Sequence, residues 1–320
     1  MPRAILPREL CDLVVDYLHA ERVALGSCAL VCRAWVPASR FHLFEHISLS
    51  DNEGYVAARL DELLASPHAT FAPAVRSLKF YNALSPVQMR NPRTGHVQVK
   101  TLLQTVPRIV QLTQIRSLVL SDLPFDILSA FSKVQTLCLV GITAGSALLR
   151  LAPHLPSLTH LTLKRVHAIP YRAPSPGSTS DTAQITALRR LTVRGSSIAF
   201  LGWLGILAPY TTVLDLGDFC PSEVPYLVSF LSSLKTPLES LELELSCGTE
   251  VREFAWDELA RVLGAETRLT VSIDVGDQDE DRGEAEEDED DGKDREVSIL
   301  RAQFPELEKR GTLDVKRLTG

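Results

Sequence analysis

The sequence predicts an α/β protein, in which an N-terminal helical unit is followed by an array of about eight or nine short strands alternating with helices. Three observations predict it. Leucine supplies 50 of the 320 residues. In the first 45 positions apolar residues return every three or four places, the period of a helix. Beyond them a different phrase recurs, a short run of alternating apolar residues followed by a longer stretch with helical spacing.

The first helical segment carries Ile5, Leu6, Leu10, Leu13, Val14, Tyr17 and Leu18, with Pro7 suited to a helix start because its missing N–H costs nothing there. A second runs through Val23, Leu25, Cys28, Leu30, Val31, Cys32 and Trp35, and Pro37 is placed to stop it. His46–Leu49 then alternates like a short strand. Eight strand cores follow: Leu78/Phe80, Leu118/Leu120, Leu137/Leu139, Leu161/Leu163, Leu191/Val193, Leu214/Leu216, Leu241/Leu243 and Val271/Ile273. Their first positions are separated by 40, 19, 24, 30, 23, 27 and 30 residues. Between them lie helix-like segments at Tyr55–Leu64, Val99–Ile109, Ser146–Leu151, Ile198–Leu207, Val224–Leu234 and Phe254–Leu263. Most spacings sit in or near the range of leucine-rich repeats, whose single units bury their apolar faces only by stacking. An ordinary α/β domain with alternating strands and helices is the competing architecture. Ser85–Gly95 and Tyr171–Ala183 carry Pro, Gly and Ser and read as exposed insertions. Val297–Phe304 looks helical, and Thr312–Val315 is a candidate closing strand.

With 45% hydrophobic residues the chain has material for a large core, which excludes global disorder. The formal net charge of −7 is a sum of unlike parts. Asp274–Glu296 holds 14 acidic and 3 basic residues, a net −11, so the remainder carries +4. That balance supports no nucleic-acid partner, which would want a clustered basic face. Arg3, Arg8 and Glu9 interrupt any apolar leader, and the longest nearly apolar stretch, Ile198–Tyr210, is 13 residues, too short for a bilayer. Six scattered cysteines then predict reduced, mostly buried thiols in a cytoplasmic or nuclear protein with no membrane partner.

The segment ILPRELCDLVVDYL…ALGSCALVCRAW resembles the F-box motif. Its carriers are Leu6-Pro7, Glu9-Leu10, Val14, Leu18, Leu25, Leu30 and Val31-Cys32-Arg33-Ala34-Trp35. With a degenerate leucine-rich array and a terminal short strand behind it, the whole resembles the F-box proteins of mushroom-forming fungi. The motif covers about 45 of the 320 residues, the repeats extending the likeness more loosely. The resemblance implies a three-helix hook over 1–45 and an irregular leucine-rich solenoid over 46–320, with helices on its convex side and flexible insertions at 85–95, 171–183 and 274–296. It implies a substrate-recruiting adaptor of a Skp–cullin–F-box ubiquitin ligase, whose hook docks a Skp-type linker protein and through it a cullin. Leu6, Pro7, Leu10 and Val14, then Leu18, Val31, Cys32 and Trp35, are the matching linker-binding positions, with Trp35 equally suited to an internal core. Two departures stand out. The stretch between Leu18 and Trp35 is slightly longer than the common pattern. The repeats also lack the Asn that regular leucine-rich repeats place after the strand, as Leu139-Val140-Gly141 and Leu163-Lys164-Arg165 show.

Residue chemistry predicts no enzyme, cofactor or metal. Cys28 and Cys32, at i and i+4, would share a helix face, but no second ligand pair accompanies them. His42 and His46 repeat at the same spacing without the glutamate of a metalloprotease helix. His154, His160 and His167 read as surface or strand-end residues, and no nucleophile elbow or phosphate-binding glycine loop occurs. If the strands line a concave face, residues alternating with the buried leucines point outward. These include Lys79, His160, Lys164, Arg190 and Arg194, then Asp215, Glu242 and Glu244, a basic zone followed by an acidic one. The face is a candidate for binding an unknown target protein by charge complementarity, or an ordinary solvated sheet surface. The acidic run has three readings: a solvated spacer, a self-contact with the basic zone, and a docking tail. A scaffold that uses the hook for assembly without ubiquitin transfer is the alternative function.

Overall fold

The computed structural model describes residues 7–50, 55–67, 69–81, 107–121, 125–141, 143–144, 152–168, 184–196, 198, 201–245, 251–264, 266–274 and 297–318. The chain is α/β, with ten parallel strands of five to seven residues among the described residues, one or two more than expected. All ten coincide with a strand core or with one of the two flanking runs read from the sequence. The chain divides into two compact units, residues 1–137 and 138–320.

In the first unit, helix α1 spans Arg8–Tyr17, with Pro7 immediately before it at φ −51°. Helix α2 spans Arg22–Val31 and stops because Cys32 turns extended, at φ −160° and ψ 163°. Helix α3, Val36–Glu45, corrects the role given to Pro37: it opens a third helix instead of ending the second. Its absent N–H belongs to the first turn, where no intrahelical bond would form. The strand β1, His46–Ser50, follows directly and pairs in parallel with β2, Ser77–Tyr81, from His46↔Ser77 to Ser50↔Tyr81. Helix α4, Tyr55–Ala65, connects them. Strand β3, Ser117–Ser121, continues the pairing on β2. Of the helix read over Val99–Ile109, only residues 107–109 are described, and they lie in a 3-10 segment, Pro107–Gln111. The 19-residue step from Leu118 to Leu137 holds another 3-10 segment, Phe125–Ala130. So short a step leaves no room for a full α-helix, and the tighter 3-10 turn bridges it.

Strand β4, Thr136–Val140, falls at the division between the units. In the second unit β5 (His160–Lys164), β6 (Arg190–Arg194), β7 (Val213–Phe219), β8 (Ser240–Leu245), β9 (Arg268–Asp274) and β10 (Leu313–Leu318) pair in parallel in chain order. Longer steps accommodate α-helices: α5 (Leu201–Leu207), α6 (Val224–Ser233) and α7 (Trp256–Val262). Residues 297–303 and Pro305–Lys309 are helical before β10. The predicted helix Ser146–Leu151, the insertions at 85–95 and 171–183, and residues 275–296 lie outside the described residues.

Alternation decides the core. Leu161, Leu163, Leu191, Val193, Leu214, Leu216, Leu241, Leu243 and Val271 are all 1% exposed or less. Each is worth about 1.5–3 kcal/mol relative to an exposed side chain. An aromatic cluster closes the C-terminal end: Phe219 stacks on Phe254 at 5.6 Å, Phe254 on Trp256 at 4.6 Å, and Trp256 meets Phe304 edge-on at 5.7 Å. The Trp256 indole N–H donates to the Val251 carbonyl at 2.7 Å, so its polar atom is satisfied inside the cluster.

The chain passes through the left-handed region at Gly141, Arg165 and Gly195, each just after a strand, and at Asp218 near the end of β7, with φ between 52° and 67°. Side chains bridge neighbouring turns at this end of the strands. The Val166 N–H donates to Ser196 Oγ at 2.6 Å, the Gly195 N–H to Asp218 Oδ2 at 2.9 Å, and the Ile198 N–H to Glu223 Oε1 at 2.9 Å. Glu223 is 9% exposed and also accepts from the Cys220 N–H at 3.1 Å. Three different side chains thus tie one turn to the next where a regular repeat would use one residue type.

Candidate functional sites: the helical hook and the strand face

Helix α1 is apolar on two sides. Cys11 and Val15, four residues apart, are 8% and 0% exposed and face inward. Leu10, Leu13, Val14 and Tyr17 are 47%, 62%, 43% and 87% exposed. Their i, i+3, i+4, i+7 spacing makes them one continuous stripe on the helix. Helix α2 repeats the division: Leu25 and Cys28 are buried, whereas Val23, Leu30 and Val31 are exposed. Two polar contacts brace the three helices. His42 Nε2 of α3 lies 2.7 Å from Asp16 Oδ1 of α1, and the Arg22 guanidinium donates to the Leu43 carbonyl at 3.2 Å.

Of the linker-binding positions expected from the sequence, Pro7, Leu10, Val14, Val31 and Cys32 are exposed. Leu18 and Trp35 are half-buried, shared between the hook interior and its surface. Leu6 lies outside the described residues. Leu13, Tyr17, Val23 and Leu30 were not among those positions, yet they are among the most exposed large apolar side chains described. For Leu13 and Tyr17 the i, i+3, i+4, i+7 spacing with Leu10 and Val14 is the signal available in the sequence.

The shared cysteine face does not exist. Cys28 is buried in α2, whereas Cys32 sits beyond its end in extended backbone and is exposed. Of the five described cysteines two are buried, Cys11 and Cys28, so the expectation of mostly buried thiols is corrected as well. The i, i+4 histidines are likewise separated, His42 in α3 and His46 in β1. Among the described residues no group of three or more His, Cys, Asp or Glu is arranged to hold a metal, and no helix is long and apolar enough to cross a membrane.

On the strand face of the second unit, register aligns His160 with Arg190, Thr162 with Thr192 and Lys164 with Arg194. Thr192 is aligned with Asp215, and Asp215 with Glu242. His160, Lys164, Arg190 and Glu242 are exposed. Lys79, exposed on β2, belongs to the first unit and is not grouped with them. Two separate zones of opposite sign do not survive. Arg194 Nη2 donates to Asp215 Oδ1 at 2.8 Å, and Nη1 donates to Glu244 Oε2. The guanidinium therefore crosses from β6 over β7 to β8. Gly217 makes this crossing possible: a Cβ there would stand 3.2 Å from Arg194 Cγ and Nη1. Burial alone would lower the Arg194 pKa, but the Asp215 and Glu244 carboxylates outweigh it and raise the pKa above its ordinary value. One basic and two acidic members of the face are thus spent on one another.

No family model matches the chain, and no curated protein matches it.

Proposed function

We propose that the chain is a non-enzymatic adaptor of a Skp–cullin–F-box type ubiquitin ligase, its helical hook docking a Skp-type linker protein and its strand face holding a target protein. The observation that carries the reading is the outward stripe of Leu10, Leu13, Val14 and Tyr17 on a helix whose opposite side already fills the hook interior. Such a stripe is what a helix presents to a partner's groove, where anchors at i, i+3, i+4 and i+7 are buried together. Val23, Leu30 and Val31 extend the apolar surface onto α2. Leaving this much large apolar surface exposed marks an interaction site in a protein that otherwise buries its leucines. The strand array is read as an irregular leucine-rich solenoid. The turn-to-turn bonds of Ser196, Asp218 and Glu223 support stacking of successive repeats despite the missing asparagine. The adaptor contributes proximity between target and ligase, and no bond chemistry of its own.

Titration of the full chain with a purified Skp-type linker tests the reading. Leu13→Asp with Tyr17→Asp should weaken binding by about 30-fold or more, as expected when central anchors of an interface are lost. Circular dichroism should show an unchanged fold. Wild-type binding by that variant sinks the proposal. Recruitment of cullin through the linker, and ubiquitin transfer to a captured target, separates the ligase adaptor from a scaffold that only assembles.

A further inference from the structure

We propose that the face of β5 and β6 binds a carboxylate-rich segment of a partner protein in extended conformation, with acidic residues four positions apart meeting Arg190 and Lys164. The inference rests on the reading that this face receives the target, and it names the target's chemistry. Three exposed or half-exposed cations, Lys164, Arg190 and Arg194, lie on these two strands, but they are not equivalent. Arg194 is committed to Asp215 and Glu244, and this same triad removes two carboxylates from competition. Lys164 and Arg190 are exposed and make no ion pair among the described residues. His160 stands beside Arg190 in register.

Geometry selects the ligand. Arg190 is level with His160 at the start of the paired strands, and Lys164 is four residues further along. At a rise of about 3.3 Å per residue, the two cations are about 13 Å apart along the strand direction. An extended segment laid along the strands has the same rise, so its side chains at i and i+4 point to one side and reach both cations. The residue at i+2 falls on Thr162 and Thr192, whose hydroxyls are paired in register and half-exposed. A helical segment with the same four-residue spacing does not fit, because its i and i+4 residues are only about 6 Å apart. Two free cations with exposed Glu242 two strands beyond Arg190 are also too few for a nucleic-acid backbone, which wants a clustered basic face.

Fluorescence anisotropy of the full chain at low salt tests this with two labelled peptides of equal composition. One carries Glu at i and i+4 with Ser at i+2; its isomer carries Glu at i and i+3. The first should bind about tenfold more tightly than the isomer, and Lys164→Gln with Arg190→Gln should remove that difference while Lys79→Gln should not. Equal binding of the isomers, undiminished binding by the double variant, or no binding by the wild-type chain overturns the inference. Binding that emerges only when residues 276–294 are deleted assigns the face to the chain's own acidic run and overturns it equally. The double variant should still bind the Skp-type linker, so failure here leaves the hook standing. Failure of the hook variant to lose the linker leaves the peptide result untouched.

Discussion

The three-helix hook and the second unit are both rich in apolar residues, and they use them in opposite ways. Among the described residues, eight of the eleven exposed large hydrophobics lie between Leu10 and Phe41, and only Tyr226 belongs to residues 138–320. In the second unit the apolar residues of neighbouring strands meet in register, so apolar surface created by one strand is covered by the next. Among the described residues nothing covers the outer sides of α1 and α2 in this way. Its interior rests on Cys11, Val15, Leu25 and Cys28, with Ser39 fully buried among the described residues of α3. Apolar patterning therefore shows where a helix or strand lies, and whether a neighbouring element covers it shows which faces remain open.

Substitutions at matched positions sharpen this contrast. Leu214→Ala, at a fully buried position of strand β7, should cost about 2–5 kcal/mol, read as a lowered midpoint in urea. Leu13→Ala in the hook should move stability by no more than about 0.5 kcal/mol while weakening the proposed linker contact. A comparable loss of stability at Leu13 would place it in the core and collapse the comparison. Smaller than the leucine effect is that of Gly217→Val, which should push the Arg194 guanidinium off its path and leave Glu244 without its partner. A loss of about 1–2 kcal/mol is expected, since Arg194 remains more than a third exposed and solvent softens the loss. An Arg194→Met background should make Gly217→Val markedly milder, and equal costs in both backgrounds would argue against the crossing.

Within the hook, Ser39 carries a buried hydroxyl with no hydrogen-bond partner among the described residues. Ser39→Ala should raise thermal stability by up to about 1 kcal/mol, because an unsatisfied buried hydroxyl is a cost that a methyl group does not carry. A lowered melting temperature would show that the hydroxyl has a role in packing the hook. The smallest effect concerns Glu306, whose carboxyl is held below the ordinary carboxylate range by its hydrogen bond to Lys309 and that ammonium's charge. The resulting stabilisation is present above the unfolded-state pKa and fades as pH falls through the lowered folded value. Lys309→Gln should return the Glu306 titration, followed by NMR, to the usual carboxylate range.

Much of the fold was legible in the sequence because period-two alternation and period-3.6 spacing are local properties of the chain. All ten strands of the large sheet coincide with an alternating run, including His46–Leu49 and Thr312–Val315 at the two ends, whereas the two-residue pair Thr143–Ala144 and His167–Ala168 carries no such signal. Helices were less secure where proline or a short step intervened. Pro37 is compatible with both the end of one helix and the first turn of the next, and only the chain's path chooses. The 3-10 segments likewise follow from the distance to be spanned, which composition does not encode.

The candidate sites divide along the same line. Leu10, Val14 and Val31 were identifiable by type and spacing, but which side of α1 faced inward was not, since both sides are apolar. On the strand face, alternation correctly set Arg190, Arg194, Asp215 and Glu244 outward. Their pairing depends on register across three strands and on Gly217 leaving space above β7. The sequence by itself determined the order of helices and strands and which strand residues alternate with the core, because backbone geometry ties those to neighbouring positions. Tertiary structure alone decided which apolar face stayed open and which charges were spent, because both depend on residues brought together from 21 to 50 positions apart.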